Sequence, residues 1–317
     1  FAYTANYSAN TISMYTVDPA TGVLSANGTV SMTNPFTVLA DPLGRFLYAT
    51  SETTSSGRIF VINQITGTLE PAGTFSAGAN PTGIYRQGGF AYVVNTGDAT
   101  VSTYRADRTS GALSSIDTTA ASSNPYRMAF GPGGRFAYVA QSGTNTIAQY
   151  TVNAQTGVLT SIGAVASGGN NPFDVAAHPS GSFVYTTNNS MASVSMLSVN
   201  ADGTLTANGT ISAGTSPFYA LAHPSGRFLY VANFGGTTIS MYTVDQSTGA
   251  LTSIGSVAAG TSPYYLATEI SGRFVYAAND GSASVSMYRV DMNTGELLSI
   301  GTVAAGTLSR SITVVSF

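Results

Sequence analysis

Four charged side chains are candidates for chemistry at one end of a repeated unit. Glu52 and Arg58 flank a Thr-Thr-Ser-Ser-Gly loop, whereas Arg127 and Asp174 come near the start of two apolar segments. A carboxylate at such a site can act as a general base, and a guanidinium can hold an anion. Each residue could instead be a solvated or ion-paired surface group, which is the more common role of charged side chains.

Histidine is poorly placed for this chemistry. The two histidines, His178 and His223, lie in identical Ala-His-Pro-Ser-Gly stretches, and this turn sequence is expected on the face opposite the four charged residues. The sequence therefore offers no Ser-His-Asp constellation, and no cluster has the spacing of metal ligands. Cysteine is absent, which excludes thiolate chemistry. We predict no metal and no cofactor, with Glu52 or Asp174 as any general base.

The elements that must position these residues follow from a repeat of about 45 residues. An aromatic-x-Tyr pair marks each of seven copies, and a period near this length with several short strands is typical of a β-propeller. The sequence therefore predicts an all-β fold, a seven-bladed β-propeller. The marker pairs are Phe1/Tyr3, Phe46/Tyr48, Phe90/Tyr92, Phe136/Tyr138, Phe183/Tyr185, Phe228/Tyr230 and Phe274/Tyr276.

Each repeat divides into four strands by apolar alternation and turn residues. In the sixth copy the predicted strands are 217–223, 228–233, 238–244 and 250–257. The last two strands are joined by a turn that ends in Thr-Gly, and glycine there supplies the positive φ that such hairpins favour. The same pair recurs at Thr21/Gly22, Thr66/Gly67, Thr156/Gly157, Thr248/Gly249 and Thr294/Gly295.

The two ends of the chain predict how the ring closes. Phe1 already belongs to the second strand of its blade, and Ser311 to Phe317 is an apolar run left over after the seventh blade. We expect this C-terminal strand to complete the N-terminal blade, which removes two exposed sheet edges. The unbroken repeat predicts a single domain over residues 1–317.

The mouth of the central channel is predicted where the first strands begin. Aromatic residues dominate there, so the position forms a collar that could stack a flat ligand or pack the blades together. The two successive positions are Phe36, Thr82, Tyr126, Phe173, Phe218, Tyr264 and Arg310, then Thr37, Gly83, Arg127, Asp174, Tyr219, Tyr265 and Ser311. The predicted ligand-binding residues are Tyr126, Arg127, Phe173, Asp174, Phe218, Tyr219, Tyr264, Tyr265 and Arg310.

The amino-acid composition limits the classes of molecule that the protein is expected to bind. Charged residues make up only 8% of the chain, the net charge is -3, and every basic residue is arginine. Nucleic acids and anionic membranes attract clustered positive charge, so neither is expected as a partner, and no membrane-spanning segment is visible. A surface rich in Ser and Thr and free of Lys favours an extracellular or cell-surface location.

The repeat resembles a known family. The stretch from Pro217 to Asn233, followed by Ile-Ser-Met-Tyr-Thr-Val-Asp at 239–245, is similar to seven-bladed lactonase-like propellers of the 6-phosphogluconolactonase and carboxymuconate cyclase group and their Tyr-Val-Thr-Asn repeat relatives. The resemblance covers all seven copies and implies lactone hydrolysis. Two stretches typical of the family's enzymes, Pro-His-x-His and Asp-Leu-Gly-x-Asp-Arg, are replaced; 172–175 reads Pro-Phe-Asp-Val and 233–238 reads Asn-Phe-Gly-Gly-Thr-Thr.

Three functions are therefore considered. Because those two stretches are replaced, we predict a secreted or cell-surface module that binds or scaffolds a small molecule, a glycan or a protein at the channel mouth. The first alternative is a divergent lactonase or cyclase that uses Glu52, Arg58, Arg127 and Asp174. The second is a structural protein that associates with copies of itself through its weakly charged faces.

Overall fold

The computed structural model describes residues 1–315 and is built from 28 β-strands. The first fifteen are β1 (Ala2–Asn6), β2 (Thr11–Val17), β3 (Leu24–Ser31), β4 (Pro35–Ala40), β5 (Phe46–Ser51), β6 (Ser56–Ile62), β7 (Leu69–Ser76), β8 (Pro81–Gln87), β9 (Phe90–Asn95), β10 (Thr100–Ala106), β11 (Leu113–Ala120), β12 (Pro125–Phe130), β13 (Phe136–Gln141), β14 (Thr146–Val152) and β15 (Leu159–Ala166). The others are β16 (Pro172–Ala177), β17 (Phe183–Asn188), β18 (Ser193–Val199), β19 (Leu205–Ser212), β20 (Pro217–Ala222), β21 (Phe228–Asn233), β22 (Thr238–Val244), β23 (Leu251–Ala258), β24 (Pro263–Thr268), β25 (Phe274–Asn279), β26 (Ser284–Val290), β27 (Leu297–Ala304) and β28 (Ser309–Val314). Two short 3-10 turns, Pro132–Gly134 and Asn189–Met191, follow β12 and β17.

The strands form seven four-stranded antiparallel sheets, which confirms the predicted seven-bladed propeller. Blades 2 to 7 each use four consecutive strands. Blade 2 consists of β4 to β7, and the order continues along the chain to blade 7, which consists of β24 to β27. The sixth blade matches its predicted strand boundaries to within one residue. In blade 2, strands one to three are largely buried, whereas the outermost strand is mostly exposed.

Blade 1 closes the ring in the predicted way. Its strand order is β28-β1-β2-β3, so the C-terminal strand supplies the innermost position of the N-terminal blade. Ala2 pairs with Val314, and the Val315 amide donates to the Phe1 carbonyl at 2.8 Å. The strand begins at Ser309, two residues earlier than the predicted leftover run, and the last two residues of that run, 316 and 317, lie outside the described part of the chain.

Each blade is tied to the next by the tyrosine of its marker pair. The Tyr185 hydroxyl, for example, donates to the Gly249 carbonyl of the following blade at 3.0 Å. The Phe183 ring packs over the same glycine, whose φ is +71°. A Cβ atom added at Gly249 would lie only 2.3 Å from that ring. The equivalent hydrogen bonds are Tyr3 to Gly67, Tyr48 to Gly111, Tyr92 to Gly157, Tyr138 to Gly203, Tyr230 to Gly295 and Tyr276 to Gly22.

The two histidines add a further bond between blades. His178 Nε2 lies 2.7 Å from the Gly226 carbonyl, and His223 Nε2 lies 2.8 Å from the Gly272 carbonyl. A carbonyl can only accept, so each Nε2 carries the proton, while each Nδ1 accepts from the amide two residues later. Both residues stand in the turn between strands one and two, at the opposite end of the first strand from the collar.

We expect Gly249→Ala to destabilise the ring by about 1–3 kcal/mol or more, because alanine is strained at this φ and its methyl group meets the Phe183 ring. Gly73→Ala is the matched control, since its Cβ would have no neighbour within 4 Å. Urea unfolding of both variants measures the difference. Equal stability of the two would contradict a structural role for the contact between Phe183 and Gly249.

Candidate functional site

Two rings of side chains meet at the channel mouth, one from each of two repeat positions. The first ring is the second residue of every innermost strand, and the second ring is the residue that follows every second strand. The first ring is Phe36, Thr82, Tyr126, Phe173, Phe218, Tyr264 and Arg310. The second ring is Tyr7, Glu52, Thr96, Ser142, Asn189, Phe234 and Asp280.

The aromatic side chains of the first ring, called the collar below, pack against one another. Phe173 stacks on Phe218 with centroids 4.8 Å apart, Phe218 lies 4.2 Å from Tyr264, and the Tyr126 and Tyr264 hydroxyls share a 2.7 Å hydrogen bond. Phe36, Phe218 and Tyr264 are buried. The rings therefore cover one another in part, because seven blades bring these large side chains to one axis, while Tyr126 and Phe173 stay partly exposed. Stacking of a flat ligand on these rings stays a prediction.

A charged cluster lies at the rim of this collar. Arg310 Nη1 is 3.6 Å from Glu52 Oε2, and Arg310 Nε is 3.4 Å from Asp280 Oδ1. The side chains of Arg310 and Glu52 are 23% and 25% exposed, while that of Asp280 is 9% exposed. The guanidinium carbon also lies 4.3 Å from the Tyr7 ring centre. One partly exposed guanidinium is thus held between a partly exposed carboxylate, Glu52, and a buried one, Asp280.

The two acids of this cluster differ in environment. Burial raises the pKa of Asp280, and the neighbouring Arg310 opposes that rise only in part. The pKa of Tyr7 is also raised, first by burial and then by the Glu52 carboxylate beside it. A carboxyl whose pKa is raised can donate a proton, and a more exposed carboxylate next to it can accept one, which is the division of roles that acid–base catalysis uses.

Arg127 lies beneath the collar. Its side chain is fully buried, and its guanidinium carbon is 4.9 Å from the Tyr265 ring centre and 5.9 Å from those of Phe36 and Tyr219. Its Nη1 donates to Thr37 Oγ1 at 3.3 Å. Arg127 is therefore a channel residue and has no place at the exposed rim where the sequence suggested it.

Asp174 also lies beneath the collar, with 3% of its surface exposed. Its Oδ2 accepts from the Ala220 amide at 2.8 Å. Burial raises the pKa of Asp174 to about 7, although the Ala220 amide and Arg127 both favour the ionised form.

The structure separates the four charged residues that the sequence grouped together. Glu52 belongs to the rim cluster, Arg127 and Asp174 lie below the collar, and Arg58 lies apart on β6. Arg58 lines a groove with Thr33, Thr54 and Thr74, and its Nη1 donates to the Ser31 carbonyl at 3.5 Å. The four side chains therefore do not form one cluster in the structure.

Sequence reasoning missed Tyr7, Phe234 and Asp280. The repeat does indicate these three residues, because each of them directly follows the second strand of its blade, as Glu52 does. Aligning the loops by that offset brings Asp280 and Glu52 to either side of Arg310. The loops that carry these residues are short and far apart in the sequence, so no single loop indicates the ring that they form together.

The fold and the rim cluster define a seven-bladed propeller with paired carboxylates and an arginine at its axis. The sequence model of the family described as "Lactonase, 7-bladed beta-propeller" matches residues 1–86, 83–221 and 219–312. The chain therefore belongs to this family, as the resemblance in its repeats predicted. A search of curated proteins found no match.

Solved structures share the architecture at low sequence identity. A putative 6-phosphogluconolactonase from Bacteroides uniformis is 20% identical with a TM-score of 0.89, and the alignment covers 98% of each chain. A second, from Bacteroides fragilis, is 19% identical with a TM-score of 0.87 and covers 98% of this chain and 96% of that chain. The periplasmic gluconolactonase of Pseudomonas aeruginosa is 18% identical with a TM-score of 0.85 and covers 99% and 98%. Similarity at this identity establishes the shared fold.

Membership of a lactonase family corrects the functional prediction. The prediction of a secreted or cell-surface binding or scaffold module is wrong, and the alternative of a divergent lactonase is favoured. In residues 1–315 no helix has the length and apolar character needed to cross a bilayer, and no three His, Cys, Asp or Glu side chains are grouped as metal ligands.

The raised pKa of Asp174 predicts how stability depends on pH. An ordinary aspartate titrates near 3.8, so protonation favours the folded chain, and stability should fall as pH rises from about 4 to about 7. Asp174→Asn keeps an acceptor for the Ala220 amide and removes this effect. Between about pH 5 and about pH 7 the parent should lose about 2 kcal/mol relative to the variant.

Urea unfolding at several pH values measures this difference. Glu70→Gln changes an exposed carboxylate and should follow the pH profile of the parent. Parallel profiles for the parent and Asp174→Asn would show that Asp174 is ionised in the folded chain throughout this range.

Proposed function

We propose that the chain hydrolyses a lactone at the rim cluster of Glu52, Arg310 and Asp280. The observation that supports this most directly is the arrangement of one guanidinium between two carboxylates at the mouth of a lactonase-family propeller. Ester hydrolysis needs a base for water, a positive group for the oxyanion and an acid for the leaving oxygen. The cluster contains one residue suited to each role.

Glu52 takes the proton of the attacking water, whose oxygen forms a bond with the lactone carbonyl carbon. Arg310 then stabilises the negative charge on the carbonyl oxygen. The ring C–O bond breaks as Asp280, in the protonated form that its burial favours, donates to the leaving oxygen. Transfer of a proton from Glu52 back to Asp280 restores the starting state, and the product is a hydroxy acid.

The charges at the rim indicate an uncharged lactone as the substrate. Glu52 lies against Arg310 and balances its charge, and Asp280 in its protonated form adds no charge. A phosphate on the substrate would meet at least one carboxylate without a free cation to pair with, and like charges at close range cost several kcal/mol. We therefore expect hydrolysis of an uncharged sugar lactone in preference to its phosphorylated form.

Glu52→Gln and Asp280→Asn should each lower kcat for glucono-δ-lactone by about 10²–10⁴-fold with little change in stability, because each removes proton transfer and keeps the side-chain shape. Arg58→Met is the matched control, since Arg58 was a sequence candidate but lies outside the cluster. Proton release above the spontaneous rate is the measurement. Equal activity in Glu52→Gln, Asp280→Asn and the parent would overturn the proposed site.

The substrate preference is tested by comparing kcat/KM for glucono-δ-lactone and its 6-phosphate. We expect the uncharged lactone to be preferred by about tenfold or more, since that ratio corresponds to about 1.4 kcal/mol. Faster turnover of the phosphorylated lactone would contradict the charge argument while leaving lactone hydrolysis itself standing.

A further inference from the structure

We propose that Arg127 anchors a second site, in the channel beneath the collar, that binds the carboxylate of a small organic acid. This site is separate from the rim cluster and does not depend on the proposed hydrolysis. Two features of the channel support this site. One is the unused hydrogen-bonding capacity of the buried Arg127 guanidinium, and the other is the set of side chains around it.

The guanidinium of Arg127 is only partly satisfied by the protein. Nη1 donates to Thr37 Oγ1, but Nε and Nη2 are buried, and within residues 1–315 neither has a hydrogen-bond acceptor. No carboxylate among these residues lies within 4.0 Å of it, since the ion pairs involve Arg45 and Arg310. A buried charge without full hydrogen bonding costs several kcal/mol, so such an arrangement calls for a partner.

The two unused donors identify the chemistry of that partner. Nε–H and the nearer Nη2–H point from the same edge of the planar guanidinium and run parallel. This edge matches the two oxygens of a carboxylate, which it binds through two charge-assisted hydrogen bonds. A single water or carbonyl oxygen could satisfy only part of this edge.

The surroundings are suited to a small acid. Tyr85 Oη is a third buried polar atom without a partner among the described residues, and it can donate to a carboxylate oxygen. Tyr219 and Tyr265 stack with centroids 3.9 Å apart, and Arg127 contacts both rings. These ring faces attract the positive charge, but they supply no oxygen to the Nε and Nη2 edge.

The channel wall next to Arg127 is partly accessible, although Arg127 itself is fully buried. Tyr85, Tyr219 and Tyr265 stay partly exposed although they belong to the innermost strands, at the centre of the ring. Residues near the far ends of those strands, such as Leu39 and Thr313, are also partly exposed. Because Nε and Nη2 of Arg127 are covered, a ligand reaches them only when the adjoining tyrosine side chains move aside.

The experiment uses sodium acetate as the probe, with sodium chloride at matched ionic strength and acetamide as the uncharged analogue. Protein labelled with ¹⁵N-arginine is titrated, and the Nε–H resonances are followed by NMR. We expect one resonance, that of Arg127, to shift saturably with acetate and to stay unmoved with chloride or acetamide. The apparent Kd should be in the millimolar range or tighter.

Arg127→Lys keeps the charge but cannot present two parallel N–H groups, so acetate binding measured by calorimetry should weaken by about tenfold or more. Arg86→Met is the matched control, because Arg86 also has a buried Nε without a partner but donates from Nη1 to Tyr48 elsewhere. Arg86→Met should bind acetate like the parent.

Two results would overturn the proposal. One is the absence of any saturable acetate-dependent shift in the parent, and this result needs no variant to fold. The other is undiminished acetate affinity in folded Arg127→Lys. Either would show that the buried guanidinium serves the packing of the collar alone, whether or not the rim cluster hydrolyses lactones.

Discussion

The whole ring depends on one contact that is made seven times, in which a tyrosine hydroxyl of one blade binds a glycine carbonyl of the next. The aromatic residue two positions before the tyrosine packs on the same glycine, so the marker pair and the glycine of the neighbouring blade's hairpin turn form one joint between blades. The last joint runs from Tyr276 to Gly22 and closes the circle without a covalent link. Every blade is thereby held at a fixed angle to its neighbour.

Fixed angles explain how distant residues assemble a site. Glu52 lies in blade 2, Asp280 in blade 7 and Arg310 on the closing strand of blade 1, yet all three meet at the rim. The closing strand is part of the site as well as of the fold, because Arg310 sits at its second residue. Ring closure and assembly of the rim cluster are therefore one event.

Much of the fold could be predicted because it depends on spacing, and spacing is visible in the sequence. The blade number, the strand boundaries and the closing strand all follow from the positions of Phe228, Tyr230 and their repeats. The site was harder, because neighbours around the axis are far apart in the chain. Nothing in the local sequence of Arg127 shows that it lies below the collar, whereas Arg310 at a nearly equivalent position lies at the rim. Arg127 is the third residue of its strand and Arg310 is the second, and this shift of one residue places the two side chains at different depths in the channel.

The repeats themselves supply an internal comparison that bears on function. At the position of Arg310 the other blades carry Phe, Tyr or Thr, and at the position of Arg127 they carry mostly Thr, Gly, Tyr or Ser. The same blade geometry thus forms with neutral residues at both positions. A partly or fully buried charge carries a desolvation cost that neutral side chains avoid. In a chain with only eleven basic and fourteen acidic residues, the fold does not require Glu52, Asp280, Arg310, Arg127 and Asp174 at its axis, and the proposed rim and channel sites give these charges a role.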